Sequence, residues 1–308
     1  MQINQTTIGS LYKGFRTIYM DAYQGGPAKV KAWAMRTSSN KASEFYGWLG
    51  AIPGMKKLVG EITIQNLAAH GFTIANDEFE DTIGIKRADI ERDSYGLYNP
   101  FFAAMGAAAA QHPDELLANA MLGGFTTLCY TGKNFFDNNH EPQKGGTKFS
   151  NKGTMKLSAA GYQTARANIK GRLNAKGRPM NLGINLVLVV SPANEAVGRQ
   201  ILIADMVAQV AGAAAAGVTN VNKGTATLEV WPQLAGTPDA WFLMEVGQPI
   251  KPFIWQVEKE TEFNAAVDPK TTDVMLTQQF LYQAYGRYAV SYGLPELAFG
   301  SNGTTDAL

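Results

Sequence analysis

The sequence predicts an α+β chain, with an extended first half and a compact second half. Three observations carry this. Residues 46–87 hold two short alternating patterns, Phe72/Ile74 and Ile83/Ile85, in a stretch too poor in apolar residues to form its own core. Residues 98–125 read as one alanine-rich helix. From Leu157 onward helix and strand patterns alternate around the continuous apolar run Leu186–Val190, typical of a strand buried on both faces. An arm that cannot stand alone, joined to a helix that needs a partner, implies a subunit completed by its neighbours.

Composition narrows the function classes. The chain has 308 residues, 45% hydrophobic and 17% charged, where about 25% charged is usual. A lightly charged surface fits one that something else covers. The net charge of +1 gives no field for gathering nucleic acid or another polyanion. The single cysteine, Cys129, excludes an internal disulfide and reads as a small buried hydrophobe in TTLCYTG. The opening MQINQTTIGSLYKGF lacks the pattern of a signal peptide. No apolar run approaches the roughly 20 residues needed to cross a bilayer. The expectation is a protein kept in the cytosol unless it leaves inside a larger particle, with no membrane partner.

Residues 1–45 read as an arm. Leu11, Phe15, Ile18 and Tyr19 have helical spacing, Gly25-Gly26-Pro27 breaks it, and Val30, Trp33 and Met35 follow with partial alternation. Such a segment has little to fold upon locally. In 46–87, Trp48, Leu49, Leu58 and Val59 stand among glycine and lysine, with bends available at Gly60-Glu61 and Gly71. The acidic run 76–81 lacks a calcium-loop pattern and reads as a solvated turn or strand edge. Asn99-Pro100 predicts an N-cap followed by proline at the first helical position. Phe101, Met105, Ala108 and Ala109 then share a face, continued by Leu116, Leu117, Ala120 and Met121. Pro113 predicts a kink or restart, with Asp114 and Glu115 in the new first turn. Gly123-Gly124 closes the helix.

Residues 126–157 are loop-rich. Asp137 and His140 have a spacing that two metal ligands could use, but zinc sites generally take three or four protein ligands and the chain has only three histidines. A polar turn is the better reading, and no catalytic, cofactor-binding or metal site is predicted. Residues 144–148, KGGTK, lack phosphate-loop spacing. Ser158 predicts the cap of a helix to about Leu173, and Ser191-Pro192 the cap and first residue of another. The AGAAAAG segment, 211–217, reads as a helix end or a loop packed near a symmetry axis. Strands are predicted at 225–231, 240–246 and 253–259, and within 274–292 with a bend at Gly286. The polar tail from Asn302 is expected to fray.

The order of YGWLG, LVGE, TIQNLAAHGFTIANDEFEDTIGIKR, DIERDSYGLYNP, HPDEL and NFFDNNH resembles the major head subunit of Mu-like phages. So do Val189-Val190-Ser191-Pro192-Ala193-Asn194-Glu195, the Tyr285-Gly286-Arg287 and Tyr292-Gly293 segments, and Leu297-Ala298-Phe299-Gly300-Ser301. The likeness runs from about Tyr46 to Ser301, and the first 45 residues carry nothing specific to it. It implies the Hong Kong 97-type phage capsid fold: an N-terminal arm (1–45), an E-loop (46–87), a P-domain (88–157 and 249–308, spine helix about 98–125) and an A-domain (158–248). It also implies a non-enzymatic major capsid protein that self-assembles into an icosahedral phage head around packaged double-stranded DNA.

The partners implied are the chain itself in hexamers and pentamers, portal, scaffold and maturation protease during assembly, and DNA by non-specific contact. The implied location is the virion, after assembly in the host bacterial cytoplasm. Trp48, Leu49, Lys56, Lys57, Phe72, Ile74, Ile83 and Ile85 are the expected intersubunit contacts of the E-loop. Three readings compete with this one: an encapsulin-like nanocompartment shell, a metal-dependent hydrolase using Asp137 and His140, and a phage tail or decoration protein.

Overall fold

The computed structural model describes residues 5–49, 71–92, 94–141, 148–174, 177–208, 217–268 and 272–306. The chain begins with helices α1 (Gln5–Gly25) and α2 (Val30–Trp33), then strands β1 (Ala34–Ser38) and β2 (Ser43–Tyr46). After residues 50–70 come β3 (Phe72–Ala75), β4 (Asp77–Lys86), α3 (Arg87–Glu91) and the long helix α4 (Asn99–Gly123). There follow β5 (Lys152–Met155), α5 (Ala159–Lys170), β6 (Leu186–Val190), α6 (Glu195–Leu202), β7 (Met206–Ala208), β8 (Gly217–Thr219) and β9 (Thr227–Val230). The last elements are β10 (Trp241–Glu245), β11 (Phe253–Ala266), α7 (Thr272–Thr277), β12 (Gln279–Tyr292) and β13 (Ala298–Thr305).

Two sheets carry these elements. A long four-stranded sheet has the order β1-β11-β12-β4, and a five-stranded sheet the order β5-β13-β10-β6-β9. Two ribbons, β2-β3 and β7-β8, stand beside them. In the five-stranded sheet β6 is buried along its whole length, as its unbroken apolar sequence requires. Leu186, Leu188 and Val190 pack with Tyr162 and Ile169 of α5 and Ile201 of α6. The alternate residues Val187 and Val189 meet Leu117 and Met121 of α4 and Phe135 and Phe136 beyond it. The period of two thus loads both faces of the sheet.

The arm folds onto its own chain, contrary to expectation. Phe15 and Tyr19 of α1 are buried against Phe102 of α4, Phe263 of β11 and Tyr282 of β12, with Phe15 stacked on Phe102 at 4.2 Å between centroids. The two helices meet where Gly106 offers no side chain: a Cβ there would overlap the carbonyl oxygen of Tyr19. The helical stripe of the arm finds a partner 87 residues on, Phe15 meeting Phe102, which local sequence could not reveal.

Other elements depart from the local patterns. A 3-10 turn over Ser94–Tyr98 runs directly into α4, so Asn99 is the first helical residue and makes no cap. The buried face of α4 runs through Phe102, Met105, Ala110, Pro113, Leu117 and Met121, which leaves Phe101 61% exposed. The helix runs unbroken through Pro113. Asp114 turns inward, and its two carboxylate oxygens accept from the backbone N–H of Lys29 and Val30 at 2.8 and 2.7 Å.

Ser158 caps α5, accepting from Gly161 N, as expected. Ser191 makes no cap, because its hydroxyl donates to the carbonyl of Pro238. Val274 lies in helix α7, and β12 is one strand through Gly286, the irregularity falling in β11 at Lys259 opposite. The expected fraying tail is strand β13 as far as Thr305. Both β13 and β5 belong to the five-stranded sheet. The AGAAAAG segment, apart from its last residue, lies outside the described residues, as do the bend at Gly60-Glu61 and most of the KGGTK run.

Candidate assembly surfaces

The residues expected to clasp a neighbour divide into three groups. Lys56 and Lys57 lie outside the described residues. Leu49, Ile74 and Ile85 are buried within their own chain, at 1%, 3% and 0% exposure. Trp48, Phe72 and Ile83 are half-buried beside them.

The physical reason is a polar stitch. The Tyr46 hydroxyl donates to Gln256 Oε1 at 2.8 Å, and Gln256 Nε2 donates to Asn76 Oδ1 at 2.7 Å and to the Ile74 carbonyl at 3.2 Å. The β2-β3 ribbon is thereby laid on β11, and its inner face joins the core. Ile85 joins a buried cluster with Phe15 and Tyr19 of α1, Ile90 of α3, Phe102 of α4 and Phe280 of β12.

Three exposed apolar features were not read from the sequence. Phe45, 63% exposed, covers Gly71 where the ribbon resumes after residue 70. Ile203, Met206, Val218 and Val221 are exposed on and beside the β7-β8 ribbon, Met206 and Val218 on opposite faces of it and Val221 74% exposed. Leu97, Phe101, Met275 and Leu276 stand at the end of the long sheet where β12 begins and β4 ends. Large apolar side chains gathered at the surface mark interaction sites.

The 126–151 loop is held by a buried polar network. His140 is fully buried. Its Nε2 faces two acceptors, the Phe135 carbonyl at 3.1 Å and Asn151 Oδ1 at 3.2 Å, so Nε2 carries the proton. Its Nδ1 then accepts from the Thr131 hydroxyl at 2.9 Å. Burial pushes the imidazole pKa down to about 4, so the ring is neutral at physiological pH.

Nearby, Tyr130 donates to Glu296 Oε1 at 2.6 Å, and burial raises the Glu296 carboxyl above its ordinary range. Arg172 donates to the carbonyls of Pro295, Glu296 and Ser150 and lies over the Phe149 ring. These groups tie the loop to α5 and to the turn before β13.

That network leaves little for chemistry. Both nitrogens of His140 are engaged inside the protein, and Asp137 Oδ1 accepts from the backbone of Asn139. Among the described residues there is no cluster of three or more His, Cys, Asp or Glu side chains able to hold a metal. The Cys129 thiol is buried, which raises its pKa and disfavours the thiolate. No described helix is long and apolar enough to cross a membrane.

Comparison with known proteins places this architecture. A family model described as the Mu-like prophage major head subunit gpT matches residues 8–156 and 233–307. The major capsid protein of Escherichia phage Mu is 42% identical over 140 residues, 46% of each chain. The major head subunit of the Mu-like prophage FluMu of Haemophilus influenzae is 35% identical over 133 residues, 43% of each. The alignments thus span about half the length of these curated relatives. Among solved structures, a chain of the bacteriophage JBD30 procapsid superposes with a TM-score of 0.61 at 25% identity, covering 99% of this chain and 77% of that one. The fold is the Hong Kong 97-type capsid fold. With the model matched across both sheets, the chain belongs to the Mu-like prophage major head subunit gpT family.

Proposed function

We propose that the chain is the structural unit of a phage head: it self-assembles into a closed icosahedral shell around packaged double-stranded DNA, and it is not an enzyme. The observation that carries this reading is the family match, which takes in the long sheet, α4 and the closing strand of the second sheet. The exposed apolar patches supply what tiling needs, non-identical surfaces at separate places on one subunit. Heterologous contacts of that kind close into rings when the rotation between neighbours divides a full turn. Many weak contacts per subunit then hold the shell collectively.

In this reading the β7-β8 side of the compact unit meets its copies around the five-fold and six-fold axes. The 46–87 segment, with Trp48, Phe72, Ile83, Lys56 and Lys57, reaches a neighbour. Portal, scaffold and maturation protease act during assembly in the host cytoplasm, and the DNA is held by non-specific contact. A net charge of +1 limits repulsion among many copies.

The test is to size and image the purified protein. Megadalton closed shells are expected; a monomer, dimer or tube overturns the reading. Deleting residues 59–71 is expected to abolish normal shells, and normal shells from that variant would remove the segment from the intersubunit contact.

A further inference from the structure

Two aspartates of β4 have no role in the reading above. The strand pairs with β12 without a break, so its side chains alternate between the two faces of the long sheet. Phe79 packs on His112 of α4, with ring centroids 4.4 Å apart. Asp77 and Asp81, two residues to either side of Phe79, therefore share the α4 face. Glu80 goes to the other face, where Thr82 and Gln283 donate to it. Four residues of strand set Asp77 and Asp81 about 13 Å apart. Both are exposed, and neither makes an ion pair among the described residues.

Two cavities follow this face. One, of about 410 Å³, is lined by Asp81, Phe79, Met105, Ala109, His112 and Tyr288. The next, of about 340 Å³, is lined by Asp77 and, on α4, by Leu116 and Asn119. No lysine or arginine lines either one. Burial pushes the His112 imidazole below its ordinary pKa, so the ring is neutral at physiological pH. Phe79, His112 and Tyr288 cluster between the two carboxylates, with Phe79 4.9 Å from Tyr288. Glu115 adds a third carboxylate, whose charge bears on both His112 and Tyr288. The Tyr19 hydroxyl is wholly buried and has no hydrogen-bond partner among the described residues. The charges that bear on it include those of Asp81 and Tyr288, both in the wall of the first cavity.

We infer that this groove binds a linear polyamine, with one ammonium group at Asp81, another at Asp77, and the alkyl chain laid over Phe79 and Tyr288. The inference goes beyond the shell reading and does not rest on it, since it concerns the single subunit. Spacing selects the ligand class. Metal–oxygen bonds of about 2–2.6 Å cannot join carboxylates that far apart through one ion. A monoamine satisfies one end only. An extended polyamine carries a cation to each end and methylenes to the apolar stretch between them. The faces of the aromatic rings attract the cations as well. Each terminal ammonium has three donors, enough for Asp81 and for the Tyr19 oxygen that the protein leaves unpaired.

The experiment is a calorimetric titration of the unassembled full-length subunit with spermidine at fixed ionic strength. Saturable binding of one molecule per chain is expected. Asp77→Asn and Asp81→Asn should each weaken it about tenfold or more, through loss of one charge-assisted contact. Ala108→Leu, which fills the first cavity, should weaken it too. Glu80→Gln removes the same charge from the opposite face and should leave the affinity within about twofold of wild type. Four results overturn the inference: no saturable binding, undiminished affinity in either aspartate variant, an equal loss in Glu80→Gln, or equally tight binding of magnesium or n-butylamine, the latter standing in for a lysine side chain. Where a variant fails to fold, carbodiimide coupling of isotope-labelled spermidine to the wild-type protein decides. Amides at Asp77, Asp81 or Glu115 are expected, and label confined to other carboxylates overturns the inference.

Discussion

Asp114 of α4 receives the backbone N–H groups of Lys29 and Val30, one on each carboxylate oxygen, at 2.8 and 2.7 Å. The side chain thereby supplies the start of α2 with the acceptor its own N-terminus lacks, Lys29 having no side-chain cap. The joint also fixes where the arm enters β1. Lys29 extends it to the second sheet through its ion pair with Glu229 at 2.8 Å, and Trp33 packs edge-on to Trp231 at 5.1 Å. One short stretch thus links the arm, the long helix and both sheets.

Replacing Asp114 with alanine should therefore cost more than a surface change. It leaves two backbone donors unpaired in a buried site, worth about 2 kcal/mol. Asp114→Asn keeps one oxygen acceptor and should lose less. Thermal melts of the unassembled subunit measure both. Equal melting of wild type and the alanine variant would mean the joint contributes nothing.

His140 makes stability depend on pH in a defined direction. Its folded pKa, about 4, lies below its ordinary value of 6.5. The neutral ring therefore stabilises the fold fully above pH 6.5, and that contribution is lost as pH falls toward 4. With 1.36 kcal/mol per unit, the loss is at most about 3 kcal/mol. The raised Glu296 carboxyl works in the opposite sense, since its protonated form is favoured in the fold. The comparison of wild type with His140→Gln isolates the histidine. Wild type should lose stability relative to the variant between pH 6.5 and 4 in urea titrations, and parallel curves would refute this.

The β7-β8 patch should matter to assembly and not to folding. Val221 and Met206 are 74% and 61% exposed, so Val221→Asp with Met206→Asp removes little packing from the subunit. Burying those carboxylates at a contact between copies is expensive, several kcal/mol per unpaired ion. The double variant is expected to melt like wild type and to yield few shells by electron microscopy. Wild-type shell yield would exclude the patch from any contact.

The legible parts of the fold are those governed by neighbours a few residues apart. Ser158 caps α5 because its side chain reaches the N–H of Gly161, three residues on. Leu186–Val190 reads as a central strand because only a position covered on both faces tolerates five consecutive apolar residues.

Ile85, Leu49 and Ile74 show the limit. Alternation marks them as buried, but hydrophobic burial has no direction, and the same pattern serves a neighbour's surface or the chain's own core. Ile85 shares its buried cluster with Phe15 and Tyr19 of α1, far upstream in the sequence, and α1 reaches α4 through the missing Cβ of Gly106. Asp114 was legible as an acid near a helix start, yet its partners sit 84 and 85 residues away. By itself the sequence determined the strand Leu186–Val190, the cap of α5, and which family ordering the segments follow. Only the tertiary structure decided what covers each of them, because that depends on contacts between segments distant in the chain, whose closure no local pattern records.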